Sequence, residues 1–130
     1  MSEFSKSEIV GISALLVHAA KIDENYSNDE KDLILHFIDS ISDTSIQNKE
    51  TLKEAERLEA NSNQLLQFTN EIKKKSEEIK SKIIEQICKI MISDNKIDQY
   101  ESNLLRRICG LIYFPDKLCG EIKLKLLETK

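Results

Sequence analysis

Residues 12–41 of this chain align without gaps with residues 83–112, an offset of 71 positions. Self-similarity at a fixed offset marks a structural unit built twice. Asp23 falls on Asp94 and Glu30 on Glu101. Ile12, Leu16, Ala19 and Ala20 fall on Ile83, Ile87, Ile90 and Met91, while Leu33, Ile34, Phe37, Ile38 and Ile41 fall on Leu104, Leu105, Ile108, Cys109 and Ile112. In the second helix of each copy the apolar residues recur at i, i+1, i+4, i+5 and i+8, which lays one stripe along a 3.6-residue period. Each copy therefore reads helix, short acidic loop, helix. Two such hairpins, each with a stripe to hide, are expected to pack on one another about a pseudo-twofold axis.

The rest of the chain extends the same class. One Pro and three Gly in 130 residues are too few for the corners of a β-sandwich or barrel. An all-α fold follows, a compact bundle of six to seven helices in a single domain over 1–130. Within it the pattern predicts repeat one at about 6–42, a polar helical insertion at about 43–74, repeat two at about 75–113 and a C-terminal helix at about 115–128. The first helix, about 6–22, is apolar on more than one side, as a central helix would be. The fourth, about 75–93, carries Ile79, Ile83, Ile87 and Ile90 on one face. In the insertion, Leu52, Ala55, Leu58, Leu65, Phe68 and Ile72 predict two weaker helices, about 48–60 and 63–74, broken near Asn61-Ser62-Asn63. This segment is expected to be a mobile flank, dispensable for folding. Phe114-Pro115 starts the last helix, with Leu118, Ile122, Leu126 and Leu127 inward.

Several function classes are disfavoured. The longest uncharged apolar run, Ile9–Ala20, is too short to span a bilayer, and the Met-Ser-Glu start lacks the basic region of a secretory signal, so the expected location is cytoplasmic. Residues 1–65 hold six Lys/Arg against thirteen Asp/Glu, and 66–130 hold thirteen against ten. An acidic chain without a basic stripe interleaved with aromatics does not suit nucleic acid. Lys73-Lys74-Lys75, followed by Glu77-Glu78, reads as the solvated face of a helix. Cys88, Cys109 and Cys119 have neither zinc-knuckle nor disulfide-framework spacing and read as small apolar groups. Catalysis is not expected. His18 and His36 accompany no nucleophile on a tight turn, and Gly11, Gly110 and Gly120 are scattered.

The candidate site is the repeated acidic elbow, Asp23 to Glu30 and Asp94 to Glu101. Ser27 with Glu30, and Asp98 with Glu101, have the spacing of a capping box, which gives each Glu a structural reason to be there. Asp23 and Asp94 have no such reason, since a negative charge at a helix C-terminus opposes the helix dipole. Turn formation accounts for them in one reading. In the other, carboxylates and carbonyls converging in one loop hold a divalent cation. Asp23, Asn25, Ser27 and Asp29 even open like an EF-hand, but position 6 is Asn28 rather than Gly and position 12 is Ile34 rather than Glu. Loop two carries Lys96, which would repel a cation. His18 is expected at a helix end or core edge rather than as a ligand beside Asp23 and Glu30.

The segments His18-Ala-Ala-Lys-Ile-Asp23 to Glu30 and Ile90-Met-Ile-Ser-Asp94 to Glu101 resemble the TerB-like superfamily, the helical domain of tellurite-resistance TerB proteins. That domain also occurs at the N-terminus of membrane-anchored DnaJ-like co-chaperones. Where the superfamily has Gly after the Asp, this chain has Glu24 and Asn95. The resemblance implies an all-α fold and an acidic face built by Asp23, Glu30, Asp94 and Glu101, taking a divalent cation or a basic partner. It further implies a stress-response or membrane-linked protein complex. The alternative is a protein–protein adaptor that docks through the 43–75 helices without metal.

Overall fold

Ser5 opens the first helix with a reciprocal cap: its hydroxyl accepts from the Glu8 amide at 3.1 Å, and the Glu8 carboxylate accepts from the Ser5 amide at 2.8 Å. The computed structural model describes residues 5–21, 26–41, 48–61, 66–70, 72–92 and 99–128. Along them run α1 (Lys6–Ala20), α2 (Asn28–Ile41), α3 (Asn48–Ala60), a single turn α4 (Leu66–Thr69), a 3-10 turn (Ile72–Lys74), α5 (Glu77–Met91), α6 (Gln99–Leu111) and α7 (Asp116–Glu128). No strand occurs among the described residues.

Helix α1 is the axis of the bundle. Ile12, Ala14, Leu15, Leu16, Val17, Ala19 and Ala20 are all buried, so the helix is apolar nearly all round. It packs on α2, α3, α4 and α5. Helix α5 adds Ile83, Ile84, Ile87, Cys88, Ile90 and Met91 to the same core. Burial is shared at most repeat positions: Ile12 and Ile83, Leu16 and Ile87, Ile34 and Leu105, Phe37 and Ile108, and Ile38 and Cys109 are buried in both copies. Each fully buried aliphatic side chain contributes roughly 1.5–3 kcal/mol. One polar stitch joins the copies, since the Gln86 amide on α5 donates to the Leu33 carbonyl on α2 at 3.3 Å.

Three expectations change. The 43–74 segment is no appendage: Leu52, Ala55, Phe68 and Ile72 are core residues, and α3 lies along α1, so removing it opens the core. The helix expected at 63–74 is replaced by α4 and the 3-10 turn, although Phe68 and Ile72 both bury as their spacing requires. Asn70, a residue type disfavoured inside helices, stands at the break. Helix α7 turns less of itself inward than expected. Only Cys119 is buried, Leu118, Ile122 and Leu126 are half-buried, and Leu127 is exposed.

The α6–α7 turn carries backbone strain. Phe114 N–H donates to the Cys109 carbonyl at 2.8 Å and Tyr113 N–H to the Gly110 carbonyl at 3.4 Å, a Schellman closure. It forces Tyr113 to φ 59°, a conformation suited to glycine. Tyr113 is also 71% exposed, so its ring recovers little by burial. A second cost sits in the core, where the Ser13 hydroxyl is fully buried and has no hydrogen-bond partner among the described residues. Tyr113→Gly and Ser13→Ala are each expected to stabilise the protein, by about 1 kcal/mol. Urea unfolding measures both, and a lowered midpoint in either variant contradicts the corresponding account.

Candidate acidic elbow

The first elbow is built from the end of α1, residues 26–27 and the start of α2. Ser27 caps α2 as its spacing predicts. Its hydroxyl accepts from the Glu30 amide at 3.2 Å, while Glu30 Oε1 accepts from the Ser27 amide at 2.8 Å and from the Ser27 hydroxyl at 3.1 Å. Glu30 is only 5% exposed and Glu101, in the first turn of α6, is 4% exposed. Burying a carboxylate is costly unless it is bonded, and both of these carry bonds. Asp23 and Asp94, and with them Asp98 and Lys96, lie outside the described residues. Among the described residues no three His, Cys, Asp or Glu side chains group closely enough to hold a metal ion. A cation site therefore needs loop carboxylates added to Glu30 or Glu101.

What the structure does bring to Glu30 is a second helix. Tyr26 OH donates to Glu56 Oε2 on α3 at 2.7 Å, and Lys31 Nζ stands 3.8 Å from the same oxygen and 5.0 Å from the centre of the Tyr26 ring. Burial, the bond to Glu56 and the charges of Glu56, Glu30 and Glu59 together hold the Tyr26 phenol protonated far above its ordinary range. One turn along α3, Glu59 receives His18 Nδ1 at 3.0 Å and Lys21 Nζ at 2.8 Å, both from the end of α1. Burial alone would raise the Glu59 carboxyl, but the Lys21 and His18 bonds outweigh it and the net shift is downward. His18 is thus a core-edge residue committed to Glu59.

Glu56 and Glu59 escaped the sequence reading, although a signal existed. Each lies four residues beyond a buried apolar position, Leu52 and Ala55, so each continues the inward stripe of α3. At the other end of α1, Lys75 Nζ pairs with Glu8 at 2.8 Å. The Lys75 bond is the main reason the Glu8 carboxyl lies below its usual range. Lys75 is therefore an anchor rather than part of a solvated helix face.

The three cysteines are buried and free of disulfides. Burial pushes the Cys88 thiol up to about 12. The Cys109 thiol, bonded to Cys119 and buried, is also raised. Protonated thiols at these depths serve as small apolar groups.

Because its folded-state carboxyl is shifted downward, Glu59 contributes stability that is present above the unfolded value of about 4.3 and is lost as pH falls through the lower folded value. Glu59→Gln is expected to lower stability by about 1–2 kcal/mol near neutral pH. The gap between wild type and variant should close toward pH ~3. Denaturant unfolding across that range measures it, and a pH-independent gap contradicts the ion-pair account.

A family model described as Tellurite resistance protein TerB matches residues 10–124. No curated protein and no solved structure matches the chain.

Proposed function

Since this chain belongs to the TerB family, whose model covers residues 10–124, we propose that it is a non-catalytic binding module acting through its acidic elbows. Asp23 with Glu30, and Asp94 with Glu101, present carboxylates to a divalent cation or to a basic partner. The observation that carries this reading is the pair Glu30 and Glu101, both buried in the first turn of a helix at matching places in the repeat. Each fixes one carboxylate at an elbow, and the loop aspartate of each copy supplies a second, hard oxygen donors of the kind Ca²⁺ and Mg²⁺ take. Elbow one is the better candidate because loop two carries Lys96. The excess of acid in residues 1–65 makes the same surface attractive to a cationic protein.

The non-catalytic reading is supported by what the reactive side chains are doing: His18 is held by Glu59, burial holds the Cys88 thiol protonated, and the hydrogen bond with Cys119 together with burial holds the Cys109 thiol protonated. The family's description as a tellurite resistance protein is what supports the stress-response part of this proposal. No described helix is long and apolar enough to cross a membrane.

A second reading, an adaptor docking through the 43–75 helices, is favoured by Leu58. It stays 36% exposed on α3 beside a cleft of about 110 Å³ shared with Phe68 and Ile72.

Amide NMR titration tests the first reading. Ca²⁺, Mg²⁺ or an oligolysine peptide should shift resonances around elbow one, with millimolar affinity for the cations. The shifts should vanish in Asp23→Asn with Glu30→Gln, a pair that removes charge while Gln keeps the capping geometry. No response to any of the three probes refutes the elbow reading. Partner capture that survives the double variant and is lost in Leu58→Asp supports the adaptor instead.

A further inference from the structure

The three cysteines come from three helices, Cys88 from α5, Cys109 from α6 and Cys119 from α7, and two of them meet, with a hydrogen bond between the Cys109 and Cys119 thiols. A core needs only a small apolar side chain at such places, not two sulfurs in contact. The α6–α7 turn fixes both backbones: the Cys109 carbonyl accepts from the Phe114 amide at 2.8 Å, and the Cys119 amide donates to the Pro115 carbonyl at 3.1 Å. Access separates the two sulfurs, since Cys109 is fully enclosed and Cys119 keeps 7% of its surface exposed. Charge separates them further. The bond from Cys109 holds the Cys119 thiol below its ordinary value against burial and the Asp116 carboxylate, and the Lys123 ammonium adds to that hold. Lys123 is itself fixed at the α6–α7 seam, its Nζ donating to Ser102 Oγ at 3.3 Å.

We propose that Cys119 and Cys109 are a redox pair, oxidised by hydrogen peroxide to an intrachain disulfide that staples α7 to α6. Cys119 attacks first, because the thiolate is the nucleophile and only this sulfur of the pair reaches the surface. It bonds to one peroxide oxygen and the O–O bond breaks. Cys119 becomes a sulfenic acid, while the departing hydroxide takes up the proton that Cys119 released. The Cys109 sulfur then attacks the Cys119 sulfur, and the sulfenic oxygen leaves as water with the Cys109 proton. Two thiols have lost two electrons, and one peroxide has become two waters. Little movement is asked of the fold, since sulfurs already in hydrogen-bond contact close to a bond of about 2.05 Å. Cys88, fully buried and without that contact, takes no part.

Peroxide treatment of the full, folded chain, followed by N-ethylmaleimide, trypsin and mass spectrometry, tests the pair. The wild-type chain should lose two hydrogens and yield tryptic peptide 108–117 linked to 118–123, a link that dithiothreitol reverses. Cys88 should remain a free thiol. In Cys109→Ser the reaction should stop at the sulfenic acid, captured by dimedone on Cys119. In Cys119→Ser the oxidation of Cys109 should slow by at least about tenfold, because the remaining thiol is enclosed and protonated. Far-UV circular dichroism checks that each variant is folded, and the wild-type link stands as a test without either. A wild-type chain that keeps three free thiols in millimolar peroxide overturns the proposal. So does a disulfide through Cys88, or oxidation of Cys109 that proceeds unchanged without Cys119.

Discussion

Along residues 12–20, helix α1 offers water little but His18, and four other elements of the fold are arranged by that fact. A helix satisfies its backbone internally, so surrounding it leaves only side chains to be accommodated, and here these are almost all aliphatic. Helices α2 and α5 cover it from the two repeats, and α3 and α4 cover the remainder from the polar segment between them. The polar segment is thus part of the enclosure. Two hairpins alone would leave one side of α1 wet. Leu52, Ala55 and Phe68 close that side.

Charge follows the same geometry. Helix α3 reaches α1 with an acidic edge, and the end of α1 meets it with His18 and Lys21. Lys31 and Tyr26 satisfy the next acid along, Glu56. Burial, the bond to Glu56 and the charges of Glu56, Glu30 and Glu59 keep the Tyr26 phenol neutral. Glu30 sits in the same corner with its cap bonds.

Much of this architecture can be read from residue spacing. Strong periodicity in α2, α5 and α6 defines helices that packing then confirms, and the Ser27–Glu30 spacing specifies its own hydrogen bonds. The misreadings have one origin. In α3 the apolar positions are few and small, and hydropathy alone cannot tell a sparse stripe beneath a neighbouring helix from a solvated one. Leu52 and Ala55 bury fully because α1 is there. In α7 the error is reversed: Leu126 and Leu127 have helical spacing, but a helix that packs mainly on α5 and α6 does not enclose a wide stripe. Glu56 and Glu59 stand at the spacing of that inward stripe, but the role of a charge there is readable only once His18, Lys21 and Lys31 arrive from other helices.

The enclosure of α1 also bears on how the chain leaves the ribosome. Its α5 lid is encoded about 70 residues later, which at usual elongation rates is roughly 4–14 s of synthesis. Through that interval the most apolar helix of the protein lacks one of the four elements that cover it. Newborn chains are thus most exposed to aggregation, and most in need of a chaperone's grip, before their second hairpin has emerged.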